Sequence, residues 1–232
     1  MSSNPGPSSH PHGQTLPRGH GTSVSYSVLR FIARRIPPSL LRVKAVDVTM
    51  LPKDRWRLPA ESTGIRWATA ADIRRLHDLS FRPPGVDSRL ARGGRALVYA
   101  EQGQIVGCMW FEPSAPVYEG WLHILLADTE RWISDNYVAP DHRGKGIAGR
   151  LGHYGRAHLP ADVTGVVAVT TFLNTASRRT AEKSGYDITR VWYVRLFGFT
   201  VVKLPHRWSI GWWRPSRPLK IPLTEIMPGA PR

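Results

Sequence analysis

The sequence predicts an α/β (α+β) domain, and three stretches carry that reading. An apolar, β-prone run over 132–138 leads into a short Gly-rich turn. A stretch with Ile147, Leu151 and Tyr154 on one helical face follows, stopped by Pro160. Residues 163–172 form a nearly continuous β-branched run, suited to a strand buried on both faces. Two pairs of apolar runs, 96–101 with 104–111 and 186–197 with 199–204, read as hairpins around Gln102-Gly103 and Gly198.

The 232 residues suffice for one domain of about 150 plus extensions. Residues 1–21 are polar and rich in Ser, Pro, Gly and His; a disordered tail is expected there. Residues 22–60 read as a basic N-terminal extension. Thr22 or Ser23 caps an amphipathic helix in it, with Val28, Leu29, Ile32 and Ile36 on one face and Arg30 and Arg34 opposite. Such a helix lies on a membrane surface or docks on its own domain. Pro37-Pro38 ends it, and one short strand is expected over 42–50.

The folded domain is expected over 61–205. Residues 64–68 read as a strand, after which Thr69 caps a helix over 70–79 with Ile73 and Leu76 inward. Pro83-Pro84-Gly85 breaks the chain before a short helix over 87–92. Residues 121–126 fit an inserted strand or a helical turn equally. Asn174 caps a helix running to Ser184, closed by Gly185. Residues 206–232, rich in Pro, Trp and Arg, read as a peripheral tail.

The formal net charge is +15 and the sequence pI about 10.8. That balance suits an acidic partner, or it is a solvated Arg-rich surface. An anionic membrane leaflet or an acidic glycan, met through the basic extensions, is one such partner; in the other reading the Trp residues pack against the domain and the charge is solvated. Trp208, Trp212 and Trp213 stand among Arg207, Arg214, Arg217 and Lys220, a combination suited to the headgroup level. A nucleic-acid-binding protein is the weaker reading, because no nucleic-acid-binding motif is present. The single Cys108 excludes an internal disulfide and fits the reducing cytoplasm, with peripheral membrane association as a variant. No apolar run approaches the ~20 residues of a membrane span, and no secretory signal is visible. The nine His residues show no metal-site spacing.

The chemistry centres on Arg143-Gly144-Lys145-Gly146-Ile147-Ala148. Strand, Gly-rich turn and helix together aim backbone N–H groups at one spot. Gly144 and Gly146 permit φ > 0, and the first helical turn offers unpaired N–H groups at a positive dipole end. The result is an anion cradle suited to a pyrophosphate. It is not a Walker A loop, since no Gly-Lys-Ser/Thr follows at the required spacing.

The spacing Arg143-x-x-Gly146-x-Ala148 resembles the R/Q-x-x-G-x-G/A signature of the GNAT superfamily of N-acetyltransferases. The segment "IRWATAADIRRL" resembles that superfamily's opening strand and helix. Asn174-x-x-Ser177 with Lys183-x-Gly185-Tyr186 is similar to its downstream motif. The resemblance implies a single domain with a central mixed, mostly antiparallel twisted sheet flanked by helices. It also implies acyl-CoA bound at a splayed central strand, and acetyl transfer from acetyl-CoA to a small-molecule or peptide amine by direct attack in a ternary complex. Residues 143–148 would hold the pyrophosphate, with Tyr137, Val138 and Asn174 along the pantetheine arm; an N–H near Val138 would polarise the thioester carbonyl.

Two positions depart from the superfamily pattern. Ala181 stands where a Tyr often protonates the thiolate, and Trp132 where a Glu often serves as base. Asp135 and Glu130 are the nearest carboxylates in sequence and the candidate bases. His142, His153, Tyr137 and Tyr193 are further candidates for proton transfer. A non-catalytic acyl-CoA-binding module is the alternative function.

Overall fold

The computed structural model describes residues 40–57, 63–78, 85–118, 120–197, 199–212 and 218–227, with isolated positions 31, 35 and 36. The tail expected over 1–21, most of the helix expected over 22–36, and Gly198 lie outside the described residues.

Alternation sets the first strand, β1 (Leu41–Pro52): Val46, Val48 and Met50 point to one face and are buried. β2 (Ile65–Trp67) follows, then α1 (Ala70–Asp78). The Asp72 N–H donates to Thr69 Oγ1 at 3.3 Å, while the Thr69 N–H donates to Asp72 Oδ2 at 2.7 Å. This reciprocal cap starts α1 where the sequence predicts. α2 (Val86–Ala91) precedes a hairpin of β3 (Arg95–Glu101) and β4 (Gln104–Glu112). Gln102 and Gly103 both take positive φ, as the tight hairpin turn requires.

The ambiguous stretch 121–126 is a strand, β5 (Leu122–Leu125). β6 (Glu130–Val138), α3 (Ile147–Ala157), β7 (Gly165–Thr171) and α4 (Thr175–Lys183) come next. β8 (Asp187–Leu196) and β9 (Phe199–Lys203) pair as the expected hairpin. The chain continues through β10 (Trp208–Trp212), β11 (Leu219–Pro222) and α5 (Leu223–Ile226).

Nine strands form one sheet in the order β10-β9-β8-β1-β7-β6-β4-β3-β2, with β11 and β5 in a separate parallel pair. Within the large sheet only β6 and β7 pair in parallel. α3 covers one face, where Ile147 and Leu151 meet Leu97, Met109, Phe111 and Ile133. On the other face, Leu76 and Val86 cover Val98, Cys108 and Trp110. The β5–β11 pair and α5 cover Val46, Val48, Trp132, Val167, Val191 and Tyr193. Among the described residues no helix is long and apolar enough to cross a membrane.

Two expected boundaries are corrected. The domain does not begin near residue 61, because β1 lies in the middle of the sheet between β7 and β8. Its Asp47 is fully buried and accepts from Arg178 Nε at 2.9 Å and Arg190 Nε at 2.8 Å. Nor is 206–232 simply a peripheral tail. Leu223, Ile226 and Met227 belong to the core, and Ile226 is 0% exposed. The strand expected over 42–50 is present as β1, but its partners β7 and β8 lie more than a hundred residues later, so its central place is not a local signal. β11, only four residues long, gives too little periodicity to read.

Candidate functional site

The site begins with a parting of two strands. β6 and β7 pair only at Glu130–Gly165, Arg131–Val166 and Trp132–Val167. Beyond that point β6 stays with β4 as far as Val138–Gly107, while β7 stays with β1 as far as Thr171–Val46. The sheet therefore opens between residues 133–138 on one side and 168–171 on the other. The expectation that 163–172 is buried on both faces holds in that pairing zone, at Gly165, Val166 and Val167. Ala168 to Thr171 are half-buried, since they line the opening.

A bulge accompanies the divergence. Ser134 pairs with Trp110 and Tyr137 with Cys108, so Asp135 and Asn136 together face Met109. Asp135 takes φ 41°, a left-handed conformation uncommon outside glycine. An extra residue bends a strand and turns it from its neighbour. Past Trp132 the edge of β6 facing the gap has no strand paired to it, the arrangement that accepts an added extended chain.

At the open end of β6 the chain is pinned. The Ala139 N–H donates to the Val106 carbonyl at 2.8 Å, and Arg143 Nε donates to the Val138 carbonyl at 3.1 Å. His142 Nε2 lies 3.0 Å from Glu101 Oε2, tying the turn over 140–142 to the β3–β4 hairpin. Gly144 and Gly146 have φ 79° and 73°. Gly146 is the N-cap of α3, and no side chain caps that end. The first-turn N–H groups thus have no intrahelical partner and no capping oxygen. A Cβ at Gly144 or Gly146 would meet nothing within 4 Å, so space above the loop is open. Exposed Arg143 and Lys145 border it. An open, amide-lined cradle at a helix N-terminus fits the pyrophosphate of an acyl-CoA.

Two glycines let α3 lie close on β4. A Cβ at Gly107 would come within 2.8 Å of Ile147 Cγ2, and one at Gly155 within 2.2 Å of Phe111 Cζ. On the other lip of the opening, Asn174 Oδ1 accepts the Ser177 N–H at 3.1 Å, capping α4 as predicted.

The candidate bases separate. Asp135 stands at the bulge, 24% exposed, with its carboxylate bonded to Arg89. Glu130 sits at the opposite end of β6, eight residues from Val138, or about 26 Å along a strand. It is buried and accepts the Ala127 N–H at 2.8 Å, and burial pushes its carboxyl above the ordinary value. Glu130 therefore stands apart from Val138 and the glycine loop, because sequence proximity along an extended strand is not spatial proximity. Trp132 is core, 3% exposed. His153 lies midway along α3, where Nδ1 is 3.3 Å from the Arg57 carbonyl and burial lowers its pKa. Tyr193 is buried beneath Trp121, with ring centroids 4.4 Å apart.

Sequence reasoning missed a buried network beside Asp135. Arg89 on α2 donates to Glu112 Oε1 at 2.6 Å and also reaches Ser134 and Asp135. Ser134 Oγ donates to the same Glu112 oxygen at 2.7 Å, and Arg92 Nη2 donates to Glu112 Oε2 at 2.5 Å. Nothing in the sequence links these residues, which lie on separate elements. Nearby, burial pushes the Cys108 thiol up to about 12.

No curated protein matches the chain. Similar solved structures include a putative acetyltransferase of the GNAT family from Novosphingobium aromaticivorans, 18% identical over 69% of this chain and 70% of that one, with TM-score 0.45. A GCN5-related N-acetyltransferase from Sphaerobacter thermophilus is 21% identical over 75% and 57%, with TM-score 0.47. A ribosomal-protein-alanine N-acetyltransferase from Brucella melitensis is 22% identical over 57% and 98%, with TM-score 0.39. The model of the acetyltransferase (GNAT) family matches residues 57–186, more than half of the chain. That span holds the opening, the glycine loop and Asn174, and the chain belongs to the GNAT family.

Proposed function

We propose that this protein is an N-acetyltransferase that takes its acetyl group from acetyl-CoA and passes it to an amine within a ternary complex. The observation that carries this reading is the parting of β6 from β7 beside an open, uncapped helix N-terminus. Bound there, acetyl-CoA supplies an acyl carbon already activated as a thioester. The N–H groups of residues 144–148 hold the pyrophosphate, with Arg143 and Lys145 adding charge. The edge of β6 from Ile133 to Val138, beside which no strand pairs, aligns the extended arm, and an N–H near Val138 polarises the acyl carbonyl. Asn174 frames the arm from the β7 side.

The donor cradle lies on the α3 face of the sheet, so the amine approaches from the opposite face. Asp135 is the candidate carboxylate on that side, held in place by Arg89. With no Tyr at Ala181, thiolate departure proceeds without a side-chain acid there, which an ordinary thiol pKa of about 8.5 permits. Direct attack is favoured over relay through the chain, because Cys108 is buried and its thiol does not ionise near neutrality.

The test is thiol release from acetyl-CoA across a panel of amines, with calorimetry of acetyl-CoA on the same protein. Amine-dependent release is expected. Tight donor binding without amine-dependent release would replace the enzyme with an acyl-CoA-binding module.

A further inference from the structure

The sheet face opposite α3 carries a cluster of cations that the acetyl-CoA reading does not use. The β1–β8 register sets Arg42 opposite Arg195 and Lys44 opposite Tyr193, and the β8–β9 register sets Thr200 beside Arg195. Residues directly opposite each other in a sheet project to the same face. By alternation Arg42 and Lys44 share the face of Val46 and Val48, the side that faces away from α3.

This cluster adjoins the opening. Val46 pairs with Thr171, the last residue of the β7 wall, and Lys44 lies one same-face step further along β1. Burial, and then the nearby charge of Arg42, push Lys44 down to about 8. Arg42 and Arg195 also act on Tyr193, so the groups are close in space as well as in register.

We propose that the acceptor amine carries a second, anionic group, a carboxylate or a phosphate, which docks on Arg42, Lys44 and Arg195. This inference rests on the protein being an amine acetyltransferase. Neighbouring strands are about 4.8 Å apart, so β1 and β8 lie roughly 7–12 Å from the midline of the opening. The favoured acceptor therefore separates its amine from its anion by about that span. Tyr193 and Thr200 lie on the same face but are buried, and the half-buried Arg42, Lys44 and Arg195 are the part of the cluster that reaches solvent. Asp135, held by its ion pair with Arg89, stands across the opening from the cations.

The test uses the full chain with saturating acetyl-CoA and matched acceptors. A hexosamine is compared with its 6-phosphate, and a dipeptide amide bearing Gln at its second position with the same dipeptide bearing Glu. The charged member of at least one pair is expected to have the higher kcat/KM by roughly tenfold or more, the scale of a charge-assisted hydrogen bond. The gain should lie mostly in KM and shrink with added salt. The pair that responds identifies phosphate or carboxylate. Lys44→Gln with Arg195→Gln should abolish the preference while calorimetric binding of acetyl-CoA persists, and Lys44→Arg should retain it. If the double variant does not fold, Lys44→Gln alone decides. Equal kcat/KM within both pairs, or a preference that survives substitution, overturns this inference and leaves the acetyltransferase intact. Failure of the parent to acetylate any amine overturns both.

Discussion

Arg89 and Glu112 form an ion pair 2.6 Å across, with side chains 2% and 0% exposed. The same guanidinium bonds Asp135 at the bulge of β6, so a buried charge on α2 fixes a carboxylate at the lip of the opening. Burying such a pair costs desolvation, and removing one partner leaves a charge uncompensated.

Arg89→Met should therefore destabilise the fold by about 3–5 kcal/mol. Arg92 still reaches Glu112 and moderates the loss. Guanidinium unfolding of the variant against the parent measures it. A change under about 1 kcal/mol would show that water or Arg92 already satisfies Glu112.

Glu130 gives a pH dependence with a definite sign. Burial raises its carboxyl pKa, so the folded chain binds that proton more tightly than the unfolded chain. The native state is favoured while the group is protonated. That advantage is lost as pH rises from the ordinary value of about 4.3 through the raised one. Glu130→Gln removes the titration and keeps an oxygen for the Ala127 N–H. Its stability relative to the parent should rise across that window, read as unfolding midpoints from pH 4 to about 7. A constant difference would mean that the group is not desolvated.

The two kinds of glycine contact should separate by readout. Gly146→Ala places a Cβ in open space, so its cost to the fold is conformational, about 1 kcal/mol from φ 73°. Its larger effect should be on acetyl-CoA binding, through the altered direction of the loop amides. Gly155→Ala instead drives a Cβ into the Phe111 ring and should lower stability by about 1–3 kcal/mol. Melting temperatures and acetyl-CoA calorimetry on both variants check this. Equal losses of affinity would mean that helix placement, not the loop, sets binding.

How much was legible follows from the range of each signal. The glycine loop, the caps at Thr69 and Asn174, and the β3–β4 turn are local chemistry, and the structure places them where the sequence indicates. The partners of β1 and of β5 are not local. Leu122–Leu125 pairs with a strand almost a hundred residues later, and Asp47 meets Arg178 and Arg190 across the fold. The bulge at Asp135 has no glycine to announce it. Glu130 lies far from Val138 because an extended strand converts eight residues into the length of β6.

The long-range pairing bears on where the folded unit ends. A fragment spanning 61–205 would lack β1, leaving β7 and β8 without the strand between them. It would also strip Leu223, Ile226 and Met227 from the core and leave Arg178 and Arg190 without Asp47. Each fully buried aliphatic side chain contributes about 1.5–3 kcal/mol. Losing Val46, Val48, Met50, Leu51, Leu223 and Ile226 together then removes about 9–18 kcal/mol, comparable to the whole 5–15 kcal/mol that holds a typical domain. The fragment should show no cooperative thermal transition and no acetyl-CoA binding, whereas 40–232 should keep both. Circular dichroism melts and calorimetry on the two chains decide it. A cooperative transition in 61–205 would mean that β1 is an addition to the domain rather than part of its centre.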